Sequence, residues 1–208
     1  SDAVIEHILT TPYDISTAIV NNTKNVSRGG FTEATQVVFN NDGTKMFIVN
    51  HGNQKEIDYW SLTTAFDIST ATHDGAFSIS GQEARANSVA FNNDGTRMIV
   101  AGAGNMSQHR IHEYSLSTGF DLSSTVTHLN TEDLISFQNH IDGVTFNYDG
   151  TKMYTITHRN KDGTEAQDLM SQFKLTTPYD VSTLSLEGTY NVSSVSYTHL
   201  TLPTSVPV

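Results

Sequence analysis

The side chains with the most capacity for chemistry are those that break an otherwise regular pattern. A hairpin sequence, F-N-x-D-G-T, recurs at Phe39, Phe91 and Phe146. Six residues before each Phe stand Glu33, Arg85 and His140, and twelve residues after it stand His51, Ala103 and His158. An imidazole at His51, His140 or His158 suits general-base work or metal ligation. Arg85 offers a planar fork for an anionic group, and Glu33 offers the one carboxylate of the set. A hydrolytic metal centre needs several converging carboxylates or amides, and two histidines two repeats apart do not share an ion. Divergence at one level of a repeated unit is what an asymmetric ligand-binding site would show, and equally what drift on a solvated rim would show.

The second acidic group is Asp42, Asp94 and Asp149, each inside an Asn-x-Asp-Gly-Thr turn. Such oxygen-rich turns invite a calcium reading, but each carries one carboxylate and lacks the twelve-residue ligand spacing. The positive φ that Asp-Gly tolerates at a tight reversal is explanation enough. No cofactor and no metal are expected. Nucleophile elbow, phosphate-binding glycine loop and metalloprotease helix are all missing. With no cysteine in the chain, thiolate catalysis, disulfides and cysteine-ligated metals are excluded. Asn21, Asn25, Asn105 and Asn191 begin N-x-Ser/Thr sequons, common by chance in an Asn- and Thr-rich chain, and receive no role.

The elements that must position these residues are written repeatedly. VVFNNDGTKMFIVN at Val37–Asn50 returns as VAFNNDGTRMIVAG at Val89 and VTFNYDGTKMYTIT at Val144. Each is an apolar run, a turn and a second apolar run, which is a β-hairpin. Between them runs a corner: LTTPYDIST at Leu9, LTTAFDIST at Leu62, LSTGFDLSS at Leu116 and LTTPYDVST at Leu175. The stretches before three of these corners, IDYWSL, IHEYSL and the one ending at Phe173, read as strands, with Trp60, Tyr114 and Phe173 at matching positions. The unit becomes strand A (Thr35–Phe39), strand B (Met46–Asn50), strand C (Ile57–Leu62) and strand D (about Gly75–Ser80). Neither face of strand A carries charge, as expected where sheets are stacked on one another. Strand A is expected to be the most buried of each four, with Val37, Phe39, Val89, Phe91, Val144 and Phe146 between sheets. No helical period of useful length appears.

At 208 residues the chain has ample length for a core, and its formal charge of −11 excludes a general nucleic-acid binder. The same charge disfavours anionic membranes, and no apolar stretch approaches the length of a membrane span.

A strand ending in F-x-x-D-G-T-K and followed by an apolar strand resembles the WD40-like and YVTN-type β-propeller repeats. Those repeats commonly carry Ser-Pro-Asp-Gly where this chain has Asn-Asn-Asp-Gly or Asn-Tyr-Asp-Gly. The PYDIST corner is similar to repeats of bacterial and phage surface proteins. The resemblance covers Val4 to about Ser194 and implies an all-β arc of four-stranded antiparallel blades, about three and a half in number. It also implies that ligands meet the D–A and B–C connections, which is where Glu33, Arg85, His140, His51 and His158 fall. The expected divisions are a half blade over 1–29 and blades over 31–80, 83–130 and 138–194. VSYTHLTLPT at Val195–Thr204 looks like a translated sequencing adapter, so 195–208 is expected to be a non-native tail on a fragment from environmental DNA. The expected function is non-catalytic recognition or a structural role in a secreted or virion-surface protein. A protein or glycan partner is expected, with self-association possible through the terminal blades. The alternative is a lactonase- or hydrolase-type enzyme using Glu33, Arg85, His140 and His51.

Overall fold

Each Asp-Gly turn folds as a hairpin and each Tyr/Phe-Asp corner as a second reversal, so every repeat becomes a meander of four strands. The computed structural model of the chain describes residues 2–27, 33–51, 55–83, 85–102, 109–134, 139–159 and 168–192, with the backbone alone at 139, 158 and 159. A two-stranded sheet comes first, β1 (Ala3–Leu9) with β2 (Ala18–Asn25). The first complete blade is β3 (Ala34–Phe39), β4 (Lys45–Asn50), β5 (Glu56–Leu62) and β6 (Ala71–Ser78). The second is β7 (Ala86–Phe91), β8 (Arg97–Gly102), β9 (Arg110–Leu116) and β10 (Val126–Asp133). The third is β11 (Asn139–Phe146), β12 (Lys152–Arg159), β13 (Leu169–Leu175) and β14 (Leu184–Asn191). All neighbours in these sheets are antiparallel. The protein is an all-β arc of propeller blades, with three-residue 3-10 turns as the only helical elements among the described residues. The expected tail, 195–208, lies outside them.

Period-2 alternation divides each strand between two interfaces. Met46 and Ile48 of β4 face the two-stranded sheet, together with Val26, Trp60 and Leu62. Phe47 and Val49 face the second blade, packing with Met98, Val100 and Tyr114. Ile99 and Ala101 of β8 face the third blade and meet Met153, Phe173 and Leu175. The three strand-C aromatics, Trp60, Tyr114 and Phe173, are buried.

Strand A is not the deepest element, contrary to the sequence reading. β4 and β8 are buried along nearly their whole length, whereas β3 has no buried residue and Val37 is 40% exposed. The reason is position: strand A is a sheet edge, while strand B has a strand on each side and a blade on each face. Strand A's free edge is served from the blade before it. The Val89 N–H donates to Gln36 Oε1 at 2.6 Å, and the Val144 N–H donates to Ser88 Oγ at 3.1 Å. Edge amides are thereby paired rather than left as orphans between blades.

One contact recurs in every complete blade and joins its two reversals. Phe66, Phe120 and Tyr179 all hold positive φ (60, 56 and 60) and donate their N–H groups to the carbonyls of Gly43, Gly95 and Gly150 at 2.9, 3.0 and 3.0 Å. Their rings lie over those glycines and against the strand-A phenylalanines, with centroids 5.6, 5.4 and 5.2 Å from Phe39, Phe91 and Phe146. The glycines themselves have φ of 70 to 71, and a Cβ there would sit 2.2 to 2.4 Å from the ring. Asp42 closes the turn on itself by accepting from the Thr44 N–H and hydroxyl at 2.9 and 2.6 Å. Asp94 and Asp149 do the same with Thr96 and Thr151. The turn carboxylates thus serve as caps within their own loops.

Gly43→Ala and Gly95→Ala are therefore expected to cost about 2 kcal/mol or more each, combining positive-φ strain with overpacking. Gly81→Ala, whose Cβ would meet nothing within 4 Å, should stay within about 0.5 kcal/mol of the parent chain. Urea denaturation measures both.

Candidate functional site

The two ends of the arc differ in kind. The A–B and C–D reversals at one end repeat the same residues, while the D–A and B–C connections at the other carry the non-repeating ones. At this second end the His51 N–H donates to the Glu33 carbonyl at 3.0 Å, which ties the chain after β4 to the chain before β3. The Glu33 carboxylate reaches the same ring, with Oε2 3.5 Å from His51 Nε2. From the second blade, Arg85 Nε donates to His51 Nε2 at 3.0 Å. A nitrogen that accepts carries no hydrogen, so the neutral ring holds its proton on Nδ1. Glu33, His51 and Arg85 are thereby joined in one row across two blades.

His140 does not join them. It has φ of 49, and its backbone N–H donates to His109 Nδ1 at 2.9 Å, the two rings lying 5.7 Å apart. The His158 side chain lies outside the described residues.

Behind Arg85 runs a second row that sequence reasoning missed. The Arg85 N–H donates to Glu83 Oε1 at 2.9 Å, and Glu83 is 1% exposed. Its Oε2 lies 3.7 Å from Nε2 of the equally buried His112. His112 Nδ1 and His128 Nε2 each stand 2.9 Å from the Thr131 hydroxyl. That hydroxyl has one hydrogen to give, so one imidazole accepts from it and the other donates to it. With Nε2–H of His112 turned toward the Glu83 carboxylate, the Thr131 hydroxyl donates to Nδ1 and His128 donates to Thr131. The chain of groups runs from the surface to a buried carboxylate. Burial holds the His109 imidazole below its usual value, opposed by the charges of Asp133 and Glu83. Burial, and then His112, likewise hold His128 down.

The missed residues had a signal. At one register position of strand C, two residues before Trp60, Tyr114 and Phe173, stand Asp58, His112 and Ser171, and all three are buried. Asp58 is satisfied within its own blade: Asn50 donates to Oδ2, and His73 Nε2 lies 2.8 Å from Oδ1. Among the described residues no three His, Asp or Glu side chains converge as a metal-ligating group. An apolar cleft of about 250 Å³ lies on the outer face of the third blade, lined by Gly143, Thr145, Tyr154, Ile156 and Met170 among others.

No family model matches the chain, and no curated protein matches it in sequence. Solved structures do match in shape. Two crystal structures assigned as 6-phosphogluconolactonases, from Bacteroides uniformis and Bacteroides fragilis, superpose with TM-scores of 0.58 and 0.59 at 8% and 10% identity. In both cases 92% of this chain is covered and 49% of the other. The chain thus spans about half the length of these structures, and the likeness is one of fold.

Two outcomes follow from the buried row. Glu83→Ala should cost about 1–2 kcal/mol, because it strips the buried acceptor from the Arg85 N–H, while Arg85→Ala at the surface should change stability little. For pH, a histidine whose folded value is depressed binds protons more readily when unfolded. The stability contributed by keeping His109 and His128 neutral is then complete above 6.5 and declines as pH falls below it. Thermal melting between pH 7.5 and 5 should show this decline, and it should be reduced in a His128→Gln variant.

Proposed function

We propose that this arc is a non-catalytic recognition module, and that its D–A and B–C end binds an anionic group carried on a glycan or protein partner. The observation that carries this reading is Arg85. Its side chain is exposed, its Nε is braced on His51, and among the described residues its two terminal nitrogens make no other bond. A guanidinium held this way has lost part of its rotamer entropy before binding and presents a fork suited to carboxylate, sulfate or phosphate. The Glu33 carbonyl holds His51 by accepting its N–H, and the Glu33 carboxylate disfavours anions that approach from its own side. The module fits a secreted or virion-surface protein, where a rim rich in Asn, Thr and His meets polar partners.

A second reading has one observation in its favour: Glu33 and Arg85 both reach His51, as an active site of the lactonase or hydrolase type would require. Against it, the His51 lone pair that a general base would use is engaged by Arg85, and His140 turns to His109 instead.

Binding of the chain to a panel of carboxylated, sulfated and neutral glycans and acidic peptides separates the two. Recognition predicts binding of acidic members only, weakened about tenfold or more by Arg85→Ala and by moderate salt. Turnover of a lactone or ester lost in both Glu33→Ala and His51→Ala, or stoichiometric calcium or zinc binding lost in Glu33→Ala, would establish the enzyme instead.

A further inference from the structure

Arg85 stands among carboxylates, and their number bears on what it can hold. Its Nε–H is given to His51 Nε2 at 3.0 Å, so an arriving anion meets the two terminal nitrogens side by side. Glu33 Oε2 lies 3.5 Å from that same ring nitrogen. This carboxylate is therefore nearer the guanidinium than the screening length of about 8 Å at physiological salt. From behind, Glu83 Oε1 accepts the Arg85 N–H at 2.9 Å. Glu83 is 1% exposed, and a buried charge is screened less than a surface one. Its charge is felt as far as the His109 imidazole, where it favours the protonated ring. His51, accepting from Arg85, is neutral and adds no positive charge. Arg110, the base that opens β9, is turned to Asp133, whose Oδ2 lies 3.8 Å from its Nε.

A lone guanidinium prefers a dianion to a monoanion, because Coulomb attraction grows with the charge it meets. Beside Arg85 a second negative charge would be drawn by one cation and repelled by two carboxylates, on a chain whose formal charge is already −11. We propose that Glu33 and Glu83 make this site selective for singly charged oxyanions, a carboxylate or a sulfate ester, over the dianion of a phosphate monoester. The proposal rests on the reading of Arg85 as the anion-binding group and names the class of anion that it takes. Uronic acids, sulfated sugars and acidic peptides carry such groups, whereas phosphorylated sugars and peptides are disfavoured. Glu33 is the part that can be altered alone. Its side chain is half exposed and only its carbonyl accepts the His51 N–H, so neutralising the carboxylate leaves the brace in place.

The test titrates the full chain at low salt with methyl glucuronide and with methyl glucoside carrying a sulfate or a phosphate ester on its primary hydroxyl. Binding is followed by NMR at the Arg85 and His51 amides. At pH 7.5 the phosphate ester, with close to two charges, should bind no more tightly than the sulfate ester or the glucuronide. In Glu33→Gln the phosphate ester should overtake the sulfate ester by about threefold or more. At pH 5 the phosphate ester carries about one charge, and the two esters should bind alike in both chains. Severalfold tighter binding of the phosphate ester by the parent chain at pH 7.5, or a ratio left unchanged by Glu33→Gln, overturns the selectivity while anion binding at Arg85 stands. Binding of none of the three, or binding untouched by Arg85→Ala, overturns the reading of Arg85 and the selectivity with it.

Discussion

An aromatic ring laid over a glycine holds each blade in shape. Strands A to D form a meander whose two reversals at one end are far apart in sequence, and hydrogen bonds along the strands do not fix how those reversals meet. Phe66 on Gly43, Phe120 on Gly95 and Tyr179 on Gly150 fix it, each with a backbone bond beneath the ring. Both partners accept backbone conformations that most residues avoid, the aromatic at positive φ without being glycine. Such strain persists only where the surroundings over-determine it. Here the strand-A phenylalanine, the carbonyl bond and the Asp-Ser/Thr caps on either side all require the same geometry.

Once the blade is fixed, stacking needs polar groups to be met across its faces, and the neighbouring blade supplies them. Glu6 Oε2 accepts the Ile68 N–H at 3.1 Å, and Glu113 Oε2 accepts the Val181 N–H at 3.1 Å, each reaching the first residue of a 3-10 turn in the following blade. The intervening interface has Tyr59 at that position, and there the chain after Asp121 forms a turn without the 3-10 hydrogen-bonding pattern. Along the turn end, Asn41 Nδ2 donates to the Asn93 carbonyl at 2.6 Å and Asn93 Nδ2 to the Tyr148 carbonyl at 2.7 Å. One end of the arc is thus committed to joining blades. At the other end blades also touch, through Arg85 on His51 and His140 on His109, but with different residues at each interface.

Much of this architecture was legible in the residues. Asp-Gly between apolar runs gives hairpins, and the repeated corner gives the second reversal, since both depend on local backbone preferences. What escaped the sequence depends on neighbours. Val37 and Val89 occupy equivalent positions and have the same side chain, yet one is 40% exposed and the other 1%. The difference is what stands before each blade: a full four-stranded sheet covers strand A of the second, and a two-stranded one precedes the first. The site was legible in part for the same reason. Offsets from the strand-A phenylalanine placed Glu33, His51 and Arg85 at one level. Which ring nitrogen meets which partner, and that His140 turns to His109, follows only from side-chain directions across blades. Glu83 and His112 looked like ordinary loop and strand residues until burial showed them facing one another.

The contact between aromatic corner and turn glycine is what native-state amide hydrogen exchange measures directly. The N–H groups of Phe66, Phe120 and Tyr179, bonded to glycine carbonyls beneath their rings, should be protected to nearly the level of the β4 and β8 amides. The Tyr13 N–H, in the same left-handed conformation (φ of 64) without a glycine partner among the described residues, should exchange faster by orders of magnitude. Equal and rapid exchange at all four corners would contradict the account, since the rings would then decorate the blades without holding them.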